Sequence, residues 1–407
     1  MATTQTFVIL GASLAGAKAA EGLRSEGFDG QILLVGHEQE RPYERPPLSK
    51  DYLQGKAERD IIYVHPPGWY AEHNVELLLG NRAVTLDRMD RTVTLADGTA
   101  LRYDKLLITT GSTPRRLTVP GADDPRVHYL RSVDDSDALK QMLQSADRVA
   151  VIGAGWIGLE VTAAARLAGV NATVMESLEL PLLRVLGREV AQVFADLHRE
   201  HGVDLRFGVQ IQEIGAHGEA LDVRLADGAH IQADAVIVGI GISPNTQLAE
   251  AAGLEVDDGI VVDEHLQSSD PNVYAAGDVA KAFHPLLGKR IRVEHWANAL
   301  NQPKVAAQSM LGQDAVYDRV PYFFTDQYDL GMEYAGYAGP GDYDQVVFRG
   351  DEERREFIAF WLADRRVVAG MNVNVWDVID QIQDLVRSGR QVDVAKLADP
   401  DVPLSDL

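Results

Sequence analysis

Twice in this chain an apolar strand runs into a glycine turn that opens a helix, and this arrangement restricts the fold more than any other feature. Phe7-Val8-Ile9-Leu10 leads into Gly11-Ala12-Ser13-Leu14-Ala15-Gly16, with a helix from Leu14 to Glu26 and a strand at Gln31–Val35. Arg148–Ile152 leads into Gly153-Ala154-Gly155-Trp156-Ile157-Gly158, with a helix from Trp156 to Leu167 and a strand at Asn171–Met175. Each is a βαβ unit, which requires a parallel sheet covered by helices. In such a turn, backbone N–H groups and the positive helix end can cradle a pyrophosphate if the side chains are small. Two units whose glycines start 142 positions apart imply two dinucleotide-binding domains of related fold.

The two turns differ. The second is complete, and Glu176 ends the following strand 23 residues after Gly153, where a carboxylate can accept bonds from an adenosine ribose. In the first, Ser13 stands for the middle glycine, and the strand ends in Gly36-His37-Glu38. His37 and Glu38 are either ribose contacts or solvated loop residues. Asp104–Gly111 and Asp234–Gly241 are each an Asp, an apolar strand and a glycine, and are expected to close the two sheets. Tyr274-Ala275-Ala276-Gly277-Asp278 offers Asp278 either as a plain turn residue or as a carboxylate for a ribityl hydroxyl. Beyond Pro321 the pattern changes to antiparallel strands at Tyr322–Thr325, Gln345–Phe348, Phe357–Trp361 and Arg366–Ala369, then a helix from Val375 to Arg387. The expected domains are 1–114 with 245–320, then 115–244, then 321–407.

Composition narrows the chemistry. None of the 407 residues is cysteine, which excludes a redox dithiol, a thiol nucleophile and a cysteine-ligated cluster. Acids outnumber bases 61 to 38, for a formal charge of −23, so neither nucleic acid nor an anionic membrane is an expected partner. No apolar run approaches the ~18 residues of a membrane span, and Met1–Thr6 carries no basic leader, so a cytoplasmic chain is expected. Nothing suggests a metal site.

Taken in order, the first glycine turn, Arg45-Pro46-Pro47-Leu48-Ser49-Lys50, the second turn with Glu160, Ala276-Gly277-Asp278 and Glu294-His295-Trp296-Ala297-Asn298-Ala299 resemble the FAD-dependent, NADH-linked ferredoxin reductases of oxygenase systems. These include the reductases serving putidaredoxin and biphenyl dioxygenase, and are akin to apoptosis-inducing factor. The resemblance implies a glutathione reductase-like α/β fold: two Rossmann-like domains and a C-terminal α+β domain. It implies FAD on Gly11, Ser13, Ala15 and Gly16, with His37, Glu38, Arg45, Lys50, Val84, Thr110, Gly111, Arg131, Gly277, Asp278, Glu294, His295 and Trp296. Apart from the resemblance, Arg131 reads as a surface cation and Trp296 as a core aromatic. NADH falls to Gly153, Gly155, Trp156, Ile157, Gly158, Glu160, Glu176, Arg184, Gly239, Ile240 and Gly241.

The implied activity carries electrons from NADH through FAD to a 2Fe–2S ferredoxin, and so indirectly to a terminal oxygenase. Lys50 and Glu160 are the expected catalytic pair, or else a structural ion pair. Two alternatives stand beside it: an NADH oxidase or rubredoxin-type reductase, and a redox-sensing interaction protein resembling apoptosis-inducing factor. Oligomeric state is not readable. Lys289-Arg290-Ile291-Arg292 and Arg387-Ser388-Gly389-Arg390 are the basic stretches an acidic ferredoxin could meet.

Overall fold

In the computed structural model, residues 5–407 are described, and the Met1–Thr4 part of the lead-in lies outside them. Its contacts divide into two compact units: 1–44 with 59–113 and 243–319, and 45–58 with 114–242 and 320–407. The Arg45–Glu58 segment thus groups with the second unit, as does the C-terminal sheet.

The first unit is built on five parallel strands in the order Val273–Ala275, Lys105–Ile108, Thr6–Leu10, Gln31–Val35, Val75–Leu78. The strands are short, continuous apolar runs because both faces are covered. Phe7 to Leu10 and Ile32 to Val35 are buried, as are Ala17, Ala19, Ala20 and Leu23 of the helix Leu14–Ser25. The small alanines bring that helix close to the sheet.

In the second unit the order is Asp204–Phe207, Asn171–Glu176, Arg148–Ile152, Ala235–Val238, Val127–Tyr129, again all parallel. Four strands repeat in the same relation in both sheets. Each sheet also carries a three-stranded antiparallel meander before its fourth repeated strand: Ala83–Asp87, Thr92–Leu95, Ala100–Arg102 in one and Ile211–His217, Ala220–Leu225, His230–Ala233 in the other. The fifth strand breaks the repeat, arriving late in the chain in the first unit and early in the second.

That fifth strand corrects one expectation. The strands Lys105–Ile108 and Ala235–Val238 do not close their sheets; each pairs on both sides, and Val273–Ala275 and Val127–Tyr129 take the edges. Three-residue edge strands carry too little periodicity to be read as such.

The C-terminal sheet is antiparallel, ordered Tyr322–Gln327, Leu330–Gly336, Arg366–Val373, Glu356–Ala363, Gln345–Asp351. The strand Leu330–Gly336 was not expected; its two glycines and Ala335 hide the alternation. The helix expected from Val375 runs Ile379–Ser388, because Asn374 and Asp377 adopt φ of 50° and 62°, and only then can it settle on Gly370; a short helix, Val394–Ala398, follows it. Trp361 anchors this sheet, fully buried and donating its indole N–H to Leu186 O at 3.1 Å. No helix among the described residues is long and apolar enough to cross a membrane.

Trp361→Ala should lower the unfolding free energy by about 3–5 kcal/mol, since it leaves a large cavity and an orphaned carbonyl. A urea titration followed by circular dichroism measures it.

Candidate functional site

In the first unit, Gly11 (φ 121°) sits where a Cβ would lie 2.2 Å from Thr109 O, and a Cβ on Gly16 would lie 2.0 Å from Gly11 O. Thr109 fastens the turn by donating its hydroxyl to Leu10 O and Gly11 O. Ser13 occupies the N-cap of the helix but makes no capping bond, and the first turn holds no acid. The N–H groups there are therefore uncapped by any side chain, as an anion site requires.

Asp278 accepts from Ser112 Oγ at 2.7 Å, while Gly277 (φ 81°) donates its N–H to Gln302 Oε1 at 2.8 Å. Thr110 exchanges hydrogen bonds with Asn245, and Gly111 follows at φ 64°. Glu294 is paired with Arg292, and burial raises its carboxyl above the usual range against the pull of that guanidinium. Burial also pushes the neighbouring His295 down to about 4, with Asp278 opposing. The Trp296 indole donates to Glu44 Oε2 at 3.0 Å. Glu38 accepts from the Tyr43 hydroxyl, His37 is exposed, and Val84 stands 47% exposed on the antiparallel meander.

The turn in the second unit repeats the first. A Cβ on Gly153 (φ 100°) would meet Gly239 O at 2.4 Å, and one on Gly158 would meet Gly153 O at 2.1 Å. Gly155 is different: a Cβ there would meet only Gly239 O, at an ordinary 3.9 Å, so this N-cap residue is uncrowded, again with no side-chain cap and no acid in the first turn. Glu176 braces the turn, its Oε2 accepting from Ala154 N at 2.8 Å and its Oε1 from Leu178 N at 3.0 Å. Ser177 Oγ also donates to Oε1 at 2.9 Å, so Oε2 is the oxygen that keeps accepting capacity. Ile157 and Ile240 are exposed apolar residues, Gly241 has φ 97°, and Arg184 is exposed. The Trp156 ring packs on Phe194 and Phe323, so only its backbone faces the turn's chemistry.

Lys50, Arg45 and Arg131, which the resemblance assigned to the flavin, belong to the second unit. Arg45 donates to Arg131 O, Ser136 Oγ to Leu48 O, and Tyr52 Oη to Asp137. These bonds fasten the proline-rich segment to the helix Val133–Leu143, which starts on a Ser132/Asp135 capping box. The segment delivers Lys50 Nζ to within 2.7 Å of Glu160 Oε1, with the two side chains 13% and 3% exposed. Glu160 lies at the fifth position of the helix Trp156–Leu167, just past its first turn. Ser49 Oγ (2.5 Å) and Thr325 Oγ1 (2.6 Å) also donate to it. Asp326 stands in the same field: burial raises its carboxyl, Glu160 and Asp51 add to the rise, and Lys50 opposes it.

Sequence reasoning missed Ser112, Gln302, Glu44, Ser49 as a donor, and Thr325. Ser112 and Ser49 adjoin singled-out residues, but nothing in spacing links Glu44 to Trp296 across 252 positions. One reading is corrected. Arg292 is not a free docking cation, because its side chain is 11% exposed and bridges Asp258 and Glu294; Lys289 and Arg290 are exposed.

Two uncapped glycine turns on duplicated parallel sheets define a two-dinucleotide oxidoreductase. The chain belongs to the pyridine nucleotide-disulphide oxidoreductase family, whose model matches residues 5–303, and a "Reductase C-terminal" domain matches 322–407. It is 41% identical over 399 residues to an anthranilate 1,2-dioxygenase system ferredoxin–NAD(+) reductase component of Burkholderia cepacia, covering 98% of each chain. It is 41% identical over 372 residues to the rhodocoxin reductase of Rhodococcus erythropolis, covering 91% of this chain and 86% of that one. The fold superposes on putidaredoxin reductase, solved as a covalent complex with putidaredoxin, with a TM-score of 0.95 at 37% identity, covering 99% of this chain and 97% of that one.

Lys50→Met would leave Glu160 buried without its counter-charge, with Ser49 and Thr325 as partial compensation. Thermal or urea unfolding should show a loss of about 3 kcal/mol, the low end for a broken buried pair.

Proposed function

We propose that the protein is an NADH-dependent, FAD-containing reductase that passes electrons singly to a 2Fe–2S ferredoxin, which in turn supplies an oxygenase. The observation that carries the reading is a disulphide-oxidoreductase scaffold without a cysteine: electrons arriving from a nicotinamide have no protein dithiol to enter. The similarity over nearly the whole chain to reductase components of oxygenase systems supports the same acceptor.

The residues fit the cofactors. The uncapped turn at Gly11–Gly16 would hold the FAD pyrophosphate, and Asp278, oriented by Ser112, would take the ribityl chain. The uncapped turn at Gly153–Gly158 would hold the NADH pyrophosphate, with room at Gly155 for close approach and Glu176 for the adenosine ribose. Bound FAD supplies the conversion of one two-electron hydride into two one-electron transfers. Per turnover NADH becomes NAD⁺, two ferredoxins each gain one electron, and one proton is released.

The chain's part is to bind and orient. Glu160 would accept from the nicotinamide carboxamide, and Lys50 would hold that carboxylate in place. The ion pair, held by Ser49 and Thr325, keeps both groups from reorganising. The reading places the protein in the cytoplasm, where NADH is regenerated.

Purified protein should carry one FAD per chain, and Asp278→Ala should retain less of it through gel filtration. NADH turnover should rise severalfold when a 2Fe–2S ferredoxin is added; equal turnover in air alone would favour an oxidase instead. NADH should outperform NADPH in kcat/KM by at least about tenfold, because Glu176 would repel a 2′-phosphate by a few kcal/mol. Equal values would contradict the placement of Glu176.

A further inference from the structure

Behind Thr325 runs a buried polar line that the reaction outlined above leaves unused. The strand Tyr322–Gln327 buries alternate residues, yet after Phe323 its inward positions are polar: Thr325 and Gln327 are 0% and 1% exposed. His198, on the helix Leu183–Glu200, is also fully buried. Gln327 Nε2 lies 3.3 Å from Thr325 Oγ1, His198 Nε2 lies 2.8 Å from Gln327 Oε1, and the Tyr328 hydroxyl lies 3.3 Å from His198 Nδ1.

The direction of these bonds is dictated from one end. The Glu160 carboxylate, paired with Lys50, can only accept, so the Thr325 hydroxyl must donate to it. Thr325 can then only accept from Gln327, which turns the amide nitrogen toward Thr325 and the amide oxygen toward His198. That oxygen requires an N–H at His198 Nε2. Burial pushes His198 down to about 4, so the ring is neutral and Nδ1 is left to accept from Tyr328. Every donor points toward Glu160, an arrangement in which successive bonds polarise one another.

The outer end is built with strain. Tyr328 forms the hairpin turn with φ 58°, a conformation a bulky residue rarely adopts, and its ring stacks on His201 at 3.7 Å. The titratable neighbours include Lys50, Asp326 and Asp51 around Glu160, His201 near His198, and Arg166 near Tyr328.

We propose that His198 is a positioning residue for Glu160, acting through Gln327 and Thr325, so that one tautomer of a remote histidine sets the orientation of the carboxylate that would meet the nicotinamide. The proposal rests on the reading of Glu160 as part of the nicotinamide site.

Two measurements on the FAD-loaded protein test it. In the first, ring-nitrogen NMR of histidine-labelled protein is compared with Glu160→Gln, the His198 signals being assigned by their loss in His198→Gln. Wild type should show the Nε2–H tautomer. In Glu160→Gln the new amide can itself donate to Thr325, which releases the line to reverse and moves the His198 nitrogen shifts. Unchanged His198 shifts would overturn the coupling. In the second, stopped-flow reduction by NADH should slow between about two- and tenfold in His198→Phe, the worth of one hydrogen bond, at unchanged KM. His198→Gln keeps an N–H toward Gln327 and should restore the rate to within about twofold. Gln327→Met breaks the same link from the other side and should slow reduction as His198→Phe does, whether or not the latter folds. Wild-type rates in Gln327→Met, or a His198→Gln rate as low as that of Gln327→Met, would overturn the proposal. If wild-type protein itself were not reduced by NADH, the functional reading would fail, while the NMR comparison would still decide the coupling.

Discussion

Both halves of the duplicated architecture depend on one close approach: a glycine turn pressed against a neighbouring carbonyl, with no room for a Cβ. At Gly11 the neighbour is Thr109 O, and at Gly153 it is Gly239 O, each within 2.5 Å of where a Cβ would stand. A second glycine, Gly16 or Gly158, then packs its helix onto the turn itself. The crossing is tight enough to aim the helix N-terminus outward from the carboxyl ends of the parallel strands, where open α/β sheets bind ligands. Any larger residue at these positions would separate helix from strand and disperse the uncapped N–H groups. The proposed dinucleotide sites thus follow directly from steric exclusion.

The second constraint is electrostatic. Glu160 is almost completely buried, and a buried carboxylate is tolerable only with a counter-charge and hydrogen bonds on its remaining lone pairs. Lys50, Ser49 and Thr325 meet that need from two separate stretches of chain. The proline-rich segment is therefore a delivery device: fixed by Arg45, Leu48 and Tyr52 to the helix at Val133, it presents two of the three donors. The C-terminal sheet presents the third, which gives that sheet a part in the site beyond stability.

Much of this was legible in the sequence, and the reasons are local. Strand, turn and helix around Gly153 are separated by only a few residues, so steric rules act on neighbours, and strands such as Gln31–Val35 and Arg148–Ile152 are read to the residue. The ion pair of Lys50 with Glu160 was legible only through a whole-chain motif, since 110 positions of chain separate them. What stayed hidden depends on tertiary placement. Ser112 at Asp278, Glu44 at Trp296 and the Thr325–Gln327–His198 line have no spacing signature, and polar residues on a buried strand face look like ordinary alternation. Arg292 shows the converse: a run of basic residues reads as a surface patch until two acids are folded onto one of them.

The central claim is that this chain turns one hydride into two single-electron transfers without a dithiol. An anaerobic single-turnover experiment tests it most directly: FAD-loaded protein, one equivalent of NADH, and excess oxidised 2Fe–2S ferredoxin, followed at the flavin and iron–sulfur absorbance bands. The account predicts full NADH oxidation with two ferredoxins reduced per NADH and the flavin returned to its oxidised state. Prompt flavin reduction that ferredoxin cannot reverse, and that only oxygen can, would contradict it.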